Sequence, residues 1–182
     1  MLRGNPYEAA FEAYLQYHRL CYVAVHEGRR TFAGNSRVKN LDFIVHGTGG
    51  LGLLVDIKGR RYPGGPPGKP RRVWESWATL DDVDGLARWE QIFGQGYCGL
   101  FVFAYRLAAD VAPPQDLGDL WEFRGQRFLL RAVTVDDYRD RQRVRSPRWN
   151  TVALSSVDFQ ATARPFRYFT REYHPTAEGL PF

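Results

Sequence analysis

Hydrophobic positions divide the chain into short runs separated by polar, glycine-rich breaks, and the period inside each run sets the element expected of it. The segment from Asn5 to Leu20 opens with a helix start: Asn5 suits the cap, Pro6 the first helical position, and Glu8 follows the cap by three. A helix over about Pro6 to Arg19 is predicted. Cys21 to His26 is β-branched and aromatic, and the polar Glu27-Gly28-Arg29-Arg30 after it reads as a turn. Leu41 to Val45 and Leu51 to Lys58 are two more apolar runs. The glycines of His46-Gly47-Thr48-Gly49-Gly50 between them permit a tight hairpin. Together these runs predict a three-stranded antiparallel meander.

Tyr62 to Pro70 is too rich in proline and glycine for regular structure and reads as an exposed loop. From Leu80 to Gly94, Leu80, Val83, Leu86, Ala87, Ile92 and Phe93 follow helical spacing, with acids at the start and Gly94 as terminator. Gly99 to Tyr105 is continuously apolar, as expected of a strand buried on both faces in mid-sheet. The predicted order is α-β-β-β-α-β, an α/β (α+β) fold with a mixed central sheet. Beyond Pro113-Pro114, Trp121 to Arg124 and Arg127 to Val133 form a hairpin around Gly125-Gln126, followed by a short helix near Val135 to Arg141. These read as peripheral. The tail from Ser156 to Phe182 mixes aromatics and arginines without a period, so no element is assigned to it. One domain over 1–182 is expected, with a core at about 5–107 and a β-rich C-terminal extension at about 115–182.

Composition narrows the class. At 182 residues and 44% hydrophobic, the chain can bury one substantial core. No run approaches the roughly 18 apolar residues of a membrane span, and the N-terminus has no basic segment followed by an apolar signal core. A cytoplasmic protein with no membrane partner is expected. Cys21 and Cys98 lie in apolar runs, where cysteine acts as a small buried hydrophobe, which argues against a disulfide framework or a cysteine zinc site. His18, His26, His46 and His174 lack metal-ligand spacing, and no nucleophile elbow or Walker sequence occurs. The formal charge is +5, with the excess gathered in Arg29-Arg30, Lys58 to Arg61, Lys69 to Arg72 and Arg139 to Arg148. Such clusters suit a polyanion when they flank an active site and are otherwise solvated loop charge. Trp74 and Trp77, beside Arg71-Arg72, offer stacking faces for bases, although packing is the commoner fate of such residues.

The candidate chemistry lies in the second and third strands. Alternation along Leu51 to Arg60 puts Asp56 and Lys58 on one face, Val55 and Ile57 on the other. Asp42 stands at the start of the preceding strand, and in an antiparallel pair that start neighbours the end of the next. Two carboxylates beside an ammonium suit a hard divalent cation, Mg²⁺ or Mn²⁺, and the water it activates. The Ile57 carbonyl offers another oxygen, and Lys58 can orient the water or offset transition-state charge. Glu8 and Glu12, one turn apart on the first helix, are further candidate acids; a solvated first turn is the alternative. Arg60, Arg61, Lys69, Arg71, Arg72 and Gln91 are the candidate nucleic-acid contacts.

Asp42 followed by Asp56-Ile57-Lys58, inside α-β-β-β-α-β, resembles the PD-(D/E)XK nuclease superfamily, which includes restriction endonucleases and archaeal-type Holliday-junction resolvases. Tyr7-Glu8-Ala9-Ala10-Phe11-Glu12 is similar to the motif of a bacterial family, the HYExAFE proteins. The resemblance covers roughly Asn5 to Leu107; Leu41 replaces the proline of the superfamily's name, and Asp56 stands where Glu is more usual. It implies a restriction-endonuclease-like fold with two acids and a lysine as the catalytic set, a supporting helix glutamate, a DNA substrate, possible branching of that DNA, and a homodimer. A catalytically silent nucleic-acid-binding module of the same fold and an RNA nuclease are the alternatives.

Overall fold

The computed structural model describes residues 5–25, 31–33, 36–47, 50–64, 73–111 and 120–171. The chain begins with α1 (Pro6–Tyr17), capped by Asn5, whose side chain accepts from the Tyr7 amide at 3.0 Å. Then come β1 (Cys21–Ala24), a small hairpin of β2 (Thr31–Ala33) and β3 (Ser36–Val38), β4 (Phe43–His46) and β5 (Gly52–Arg61). β6 (Ala78–Thr79) leads into α2 (Leu80–Phe93), after which β7 (Tyr97–Leu107), β8 (Leu120–Phe123) and β9 (Gln126–Thr134) follow. The chain continues through α3 (Val135–Arg141), β10 (Arg143–Ser146), β11 (Thr151–Ala153), α4 (Ser156–Thr162), β12 (Arg164–Pro165) and α5 (Phe166–Arg171).

The main sheet runs β1-β4-β5-β7-β9-β12, with β8 paired to β9. β1, β4 and β5 are antiparallel neighbours, as the meander requires, although β2 and β3 are inserted within it. β5 and β7 are parallel from Gly52↔Tyr97 to Arg61↔Arg106, and α2 lies in the crossover that such a pair needs. The sheet is therefore mixed. Its two faces carry separate cores. α1 and α5 cover one, where Phe11 and Phe166 meet Phe43, Val55, Ile57 and Val102. α2, α3 and α4 cover the other, where Leu86, Tyr138 and Phe159 meet Leu54, Phe101 and Phe103. Val55 and Ile57 thus fall on the α1 face, and Asp56, opposite Phe101 in register, on the α2 face.

Several expectations are corrected. The hairpin at 121–133 forms, turning through Arg124 (φ 51) and Gly125 (φ 71), but it is not peripheral. β9 pairs with β7 from Leu100↔Thr134 to Leu107↔Arg127, and its last seven residues are buried. The described part of the tail, 156–171, holds two short helices and the two-residue β12, the first helix capped by Ser155. Cys98 is buried, but Cys21 is exposed because β1 is the sheet's edge. The Arg139 to Arg148 cluster is spread over α3, β10 and the turn after it. His26, the turn at 27–30 and most of the Pro/Gly loop lie outside the described residues. None of the described helices is long and apolar enough to cross a membrane.

Candidate active site

The site forms just ahead of the start of β4, where β5 continues past it. The Asp42 amide donates to the Val55 carbonyl at 2.8 Å, and the Asp42 carboxylate accepts the Ile57 amide at 2.6 Å. The carboxylate thus takes the place of the next β4 rung. Because amide and carbonyl of one strand residue point the same way, the Ile57 carbonyl also faces the Asp42 side, past the last β4 pair, Phe43↔Val55. Asp56 and Lys58 share the α2 face as predicted: Nζ of Lys58 lies 2.8 Å from Asp56 Oδ1 and 2.9 Å from Oδ2.

Lys58 has a second partner that the sequence reading did not name. Nζ lies 3.1 Å from Oδ1 of Asp82, which is also paired with Lys39. Asp82 is the third residue of α2 and closes its capping box: its carboxylate accepts the Thr79 amide at 2.8 Å, and the Asp82 amide donates to Thr79 Oγ1 at 3.1 Å. Thr79 followed three positions later by an acid was the available signal. The start of α2 is thereby bolted to the acid–lysine strand.

Burial and neighbouring charge set the electrostatics. Asp42 is 6% exposed, and its carboxyl is pushed up to about 8, first by burial and then by the Asp56 and Glu8 carboxylates. Burial also raises Asp56, against the pull of Lys58. Burial would lower Lys58, but Asp56 and Asp82 outweigh it and hold its ammonium above the usual value. Asp82 is held at about 2, because Lys58 and Lys39 override its burial.

The two helix acids separate. Glu8 is buried, accepts from Asn5 Nδ2 at 2.7 Å and lies near enough to Asp42 to raise it. Glu12 accepts from the Tyr22 hydroxyl at 3.1 Å and is held toward β1. What brings α1 so close is Gly59: a Cβ there would stand 2.2 Å from a ring carbon of Tyr7, so the ring rests directly on the strand.

The expected nucleic-acid contacts are mostly not gathered here. Arg60 is 8% exposed; its guanidinium donates to the Gly59 carbonyl at 2.7 Å and to the Trp77 carbonyl, and stacks 3.9 Å from the Trp77 ring. Burial lowers its pKa. It is a packing residue, and Trp74 likewise packs against Tyr62, Tyr105 and Phe159. Arg61 is exposed at the end of β5. Gln91 is exposed, bonded to Arg88 at 3.0 Å, and nine residues along α2 from Asp82, roughly 13 Å down the axis. Lys69, Arg71 and Arg72 lie outside the described residues.

Among the described residues, no three His, Cys, Asp or Glu side chains gather into a ready-made metal cage. The donors nonetheless fit Mg²⁺ or Mn²⁺. Mg²⁺ is usually held by one or two carboxylates, with waters and substrate phosphate completing the octahedron. A carboxyl raised by its acidic neighbours is one that a divalent cation would stabilise in charged form.

No protein-family model matches the chain, and no curated protein matches it in sequence. In structure it is similar to Hjc, a Holliday junction resolvase from the archaeal hyperthermophile Archaeoglobus fulgidus, with a TM-score of 0.53. The match spans 92% of this chain and 99% of that one at 13% identity, a level that speaks for fold alone. The chain shares that fold, which is restriction-endonuclease-like, with a mixed sheet at its centre.

Proposed function

We propose that this protein is a metal-dependent nuclease that hydrolyses phosphodiester bonds in DNA. The observation that carries the reading is the placement of Asp42, the Ile57 carbonyl, Asp56 and Lys58 around one strand end, in a fold shared with a Holliday junction resolvase. Asp42 and Asp56, with the Ile57 carbonyl, would hold the cation; Glu8 supports Asp42 from α1. A bound Mg²⁺ or Mn²⁺ supplies Lewis acidity and lowers the pKa of its water. Lys58, kept protonated by Asp56 and Asp82, orients the attacking water and offsets charge on the phosphoryl oxygens. The resolvase likeness supports branched DNA as the substrate, and a homodimer is the assembly that the family resemblance implies. A cytoplasmic location accords with this activity.

The test is cleavage of labelled duplex, single-stranded, flap and four-way-junction DNA, and of RNA, with Mg²⁺ or Mn²⁺. Wild type is expected to cut DNA, and Asp56→Asn to lose roughly a hundred- to a thousandfold, as removal of a transition-state electrostatic partner does. Equal cleavage by both would overturn the assignment of the site. Binding without cleavage under every metal would favour the silent module, and cleavage of RNA alone the RNA nuclease.

A further inference from the structure

The β10–β11 hairpin takes no part in the reading above. Residues Arg139 to Arg148 include five arginines and one aspartate. Arg141 pairs with Asp137 at 3.0 Å and Arg143 with Asp158 at 3.5 Å, whereas Arg145 and Arg148 pair with no carboxylate among the described residues. Both are exposed. The Arg148 guanidinium lies 5.3 Å from the ring of Trp149, which is itself 68% exposed at the tip of the turn. The Arg145 guanidinium, on β10 of the same hairpin, lies 5.3 Å from the Trp77 ring, so Trp149, beside Arg148, is an indole left in water without the packing that accounts for Trp74 and Trp77.

The tip is firmly placed. The Asn150 carbonyl accepts from the amide of Leu80, the first residue of α2, at 3.0 Å. β11 pairs with β6 immediately before that helix, and Ser76 Oγ accepts from the Leu154 amide at 3.1 Å. The Tyr138 hydroxyl lies 2.7 Å from the Ser76 carbonyl and 3.1 Å from that of Val152, fastening the hairpin from below. Asp82, in the same first turn of α2, touches Lys58. One residue step, one hydrogen bond, one helical turn and the Asp82–Lys58 contact make a path on the order of 15 Å from Trp149 to the acid–lysine set, a span of a few nucleotides.

We propose that Trp149, with Arg148 and Arg145, is a stacking and phosphate contact for an unpaired stretch of the nucleic-acid strand that enters the site. This rests on the nuclease reading. A flat ring stacks on any base whose face is open, and the guanidiniums neutralise the phosphates on either side. A continuous duplex keeps its base faces covered, so the contact selects strands with unpaired bases.

The test measures fluorescence anisotropy of labelled oligonucleotides, flapped or single-stranded against fully paired, without divalent metal. Trp149→Ala is expected to weaken binding of the unpaired substrates about tenfold and the duplex far less. Arg148→Ala is expected to reduce the slope of log affinity against log salt by about 0.7. Trp149→Phe and Trp149→Leu guard against misfolding of the alanine variant: phenylalanine should bind unpaired strands more tightly than leucine. Equal binding by those two variants, equal loss on paired and unpaired substrates, or no binding by wild type would each overturn the contact. Since no cleavage is read, an inactive wild type would count against the nuclease reading and leave this result standing.

Discussion

Asp42 and Asp82 are buried to nearly the same degree, 6% and 4% exposed, yet their carboxyls sit at opposite extremes, one pushed up to about 8 and the other held at about 2. The difference lies in where the positive charge is. Asp82 faces two ammonium groups, Lys58 and Lys39, and the crevice it shares with Asp56 and Leu86 is too tight for a water molecule. Asp42 faces the Asp56 and Glu8 carboxylates and accepts one backbone amide. Desolvation acts on both; at Asp82 the two lysines outweigh it, whereas at Asp42 burial and the neighbouring carboxylates prevail. One side of the strand is electrostatically closed, and the other gains most from a cation brought from outside.

The largest effect expected from breaking this contrast is on stability. Lys58→Ala should destabilise the fold by about 3 kcal/mol, because it strips the shared cation from two buried carboxylates, leaving Asp82 with Lys39 but Asp56 without its ion-pair partner. Urea denaturation checks this; a loss below about 1 kcal/mol, the range of exposed pairs, would mean the pairs are solvent-screened.

Asp42→Asn should act in the opposite direction. An unfolded aspartate titrates near about 3.9, and the folded Asp42 at about 8, so the metal-free native state binds this proton more tightly. The associated stability is fully present below the unfolded value and is lost as pH rises toward 8. Metal-free wild type should therefore lose on the order of 2 kcal/mol between pH 6 and pH 8, and the Asn variant much less. Mg²⁺ or Mn²⁺ should restore the difference in wild type only, by mass action on the native state. Thermal unfolding across that range, with and without metal, is the measurement; a flat wild-type profile would contradict the account.

The smallest effect belongs to Asp82→Asn. Asp82 helps to raise Lys58, so its removal should lower the Lys58 pKa and move the alkaline limb of the cleavage pH profile downward. Loss of the capping box alone would cost about 1 kcal/mol of stability without moving that limb. The profile thus separates a residue that positions Lys58 from one that only starts a helix.

Much of this was legible in the chain because the signals are local. A period of two puts Asp56 and Lys58 on one face, and the antiparallel hairpin brings Asp42 to them. The Asn5-Pro6 start and the Gly94 stop mark their helices. What stayed hidden depends on distant partners. Residues 127–133 read as a strand, but nothing in them says that they lie beside β7. Glu8 and Glu12 share one helix face, and it took Tyr22 on β1 and Asp42 ahead of β4 to tell them apart. Arg60 looked like its neighbour Arg61 in a basic run; strand alternation buries the first under Trp77 and leaves the second in solvent. Helices of six or seven residues, such as α4 and α5, complete too few turns to display a period.

The contact of Tyr7 with Gly59 carries a mechanical consequence. With no side chain between them, the strand acts as the bearing surface on which the first helix is seated. Any side chain at 59 would be a shim: it would lift the helix and carry Glu8 away from Asp42 without altering a single acid. Tyr7-Glu8 and Lys58-Gly59, about fifty residues apart, are two halves of one joint, so a chain with every acid in place but a bulky residue after the lysine would seat its helix differently.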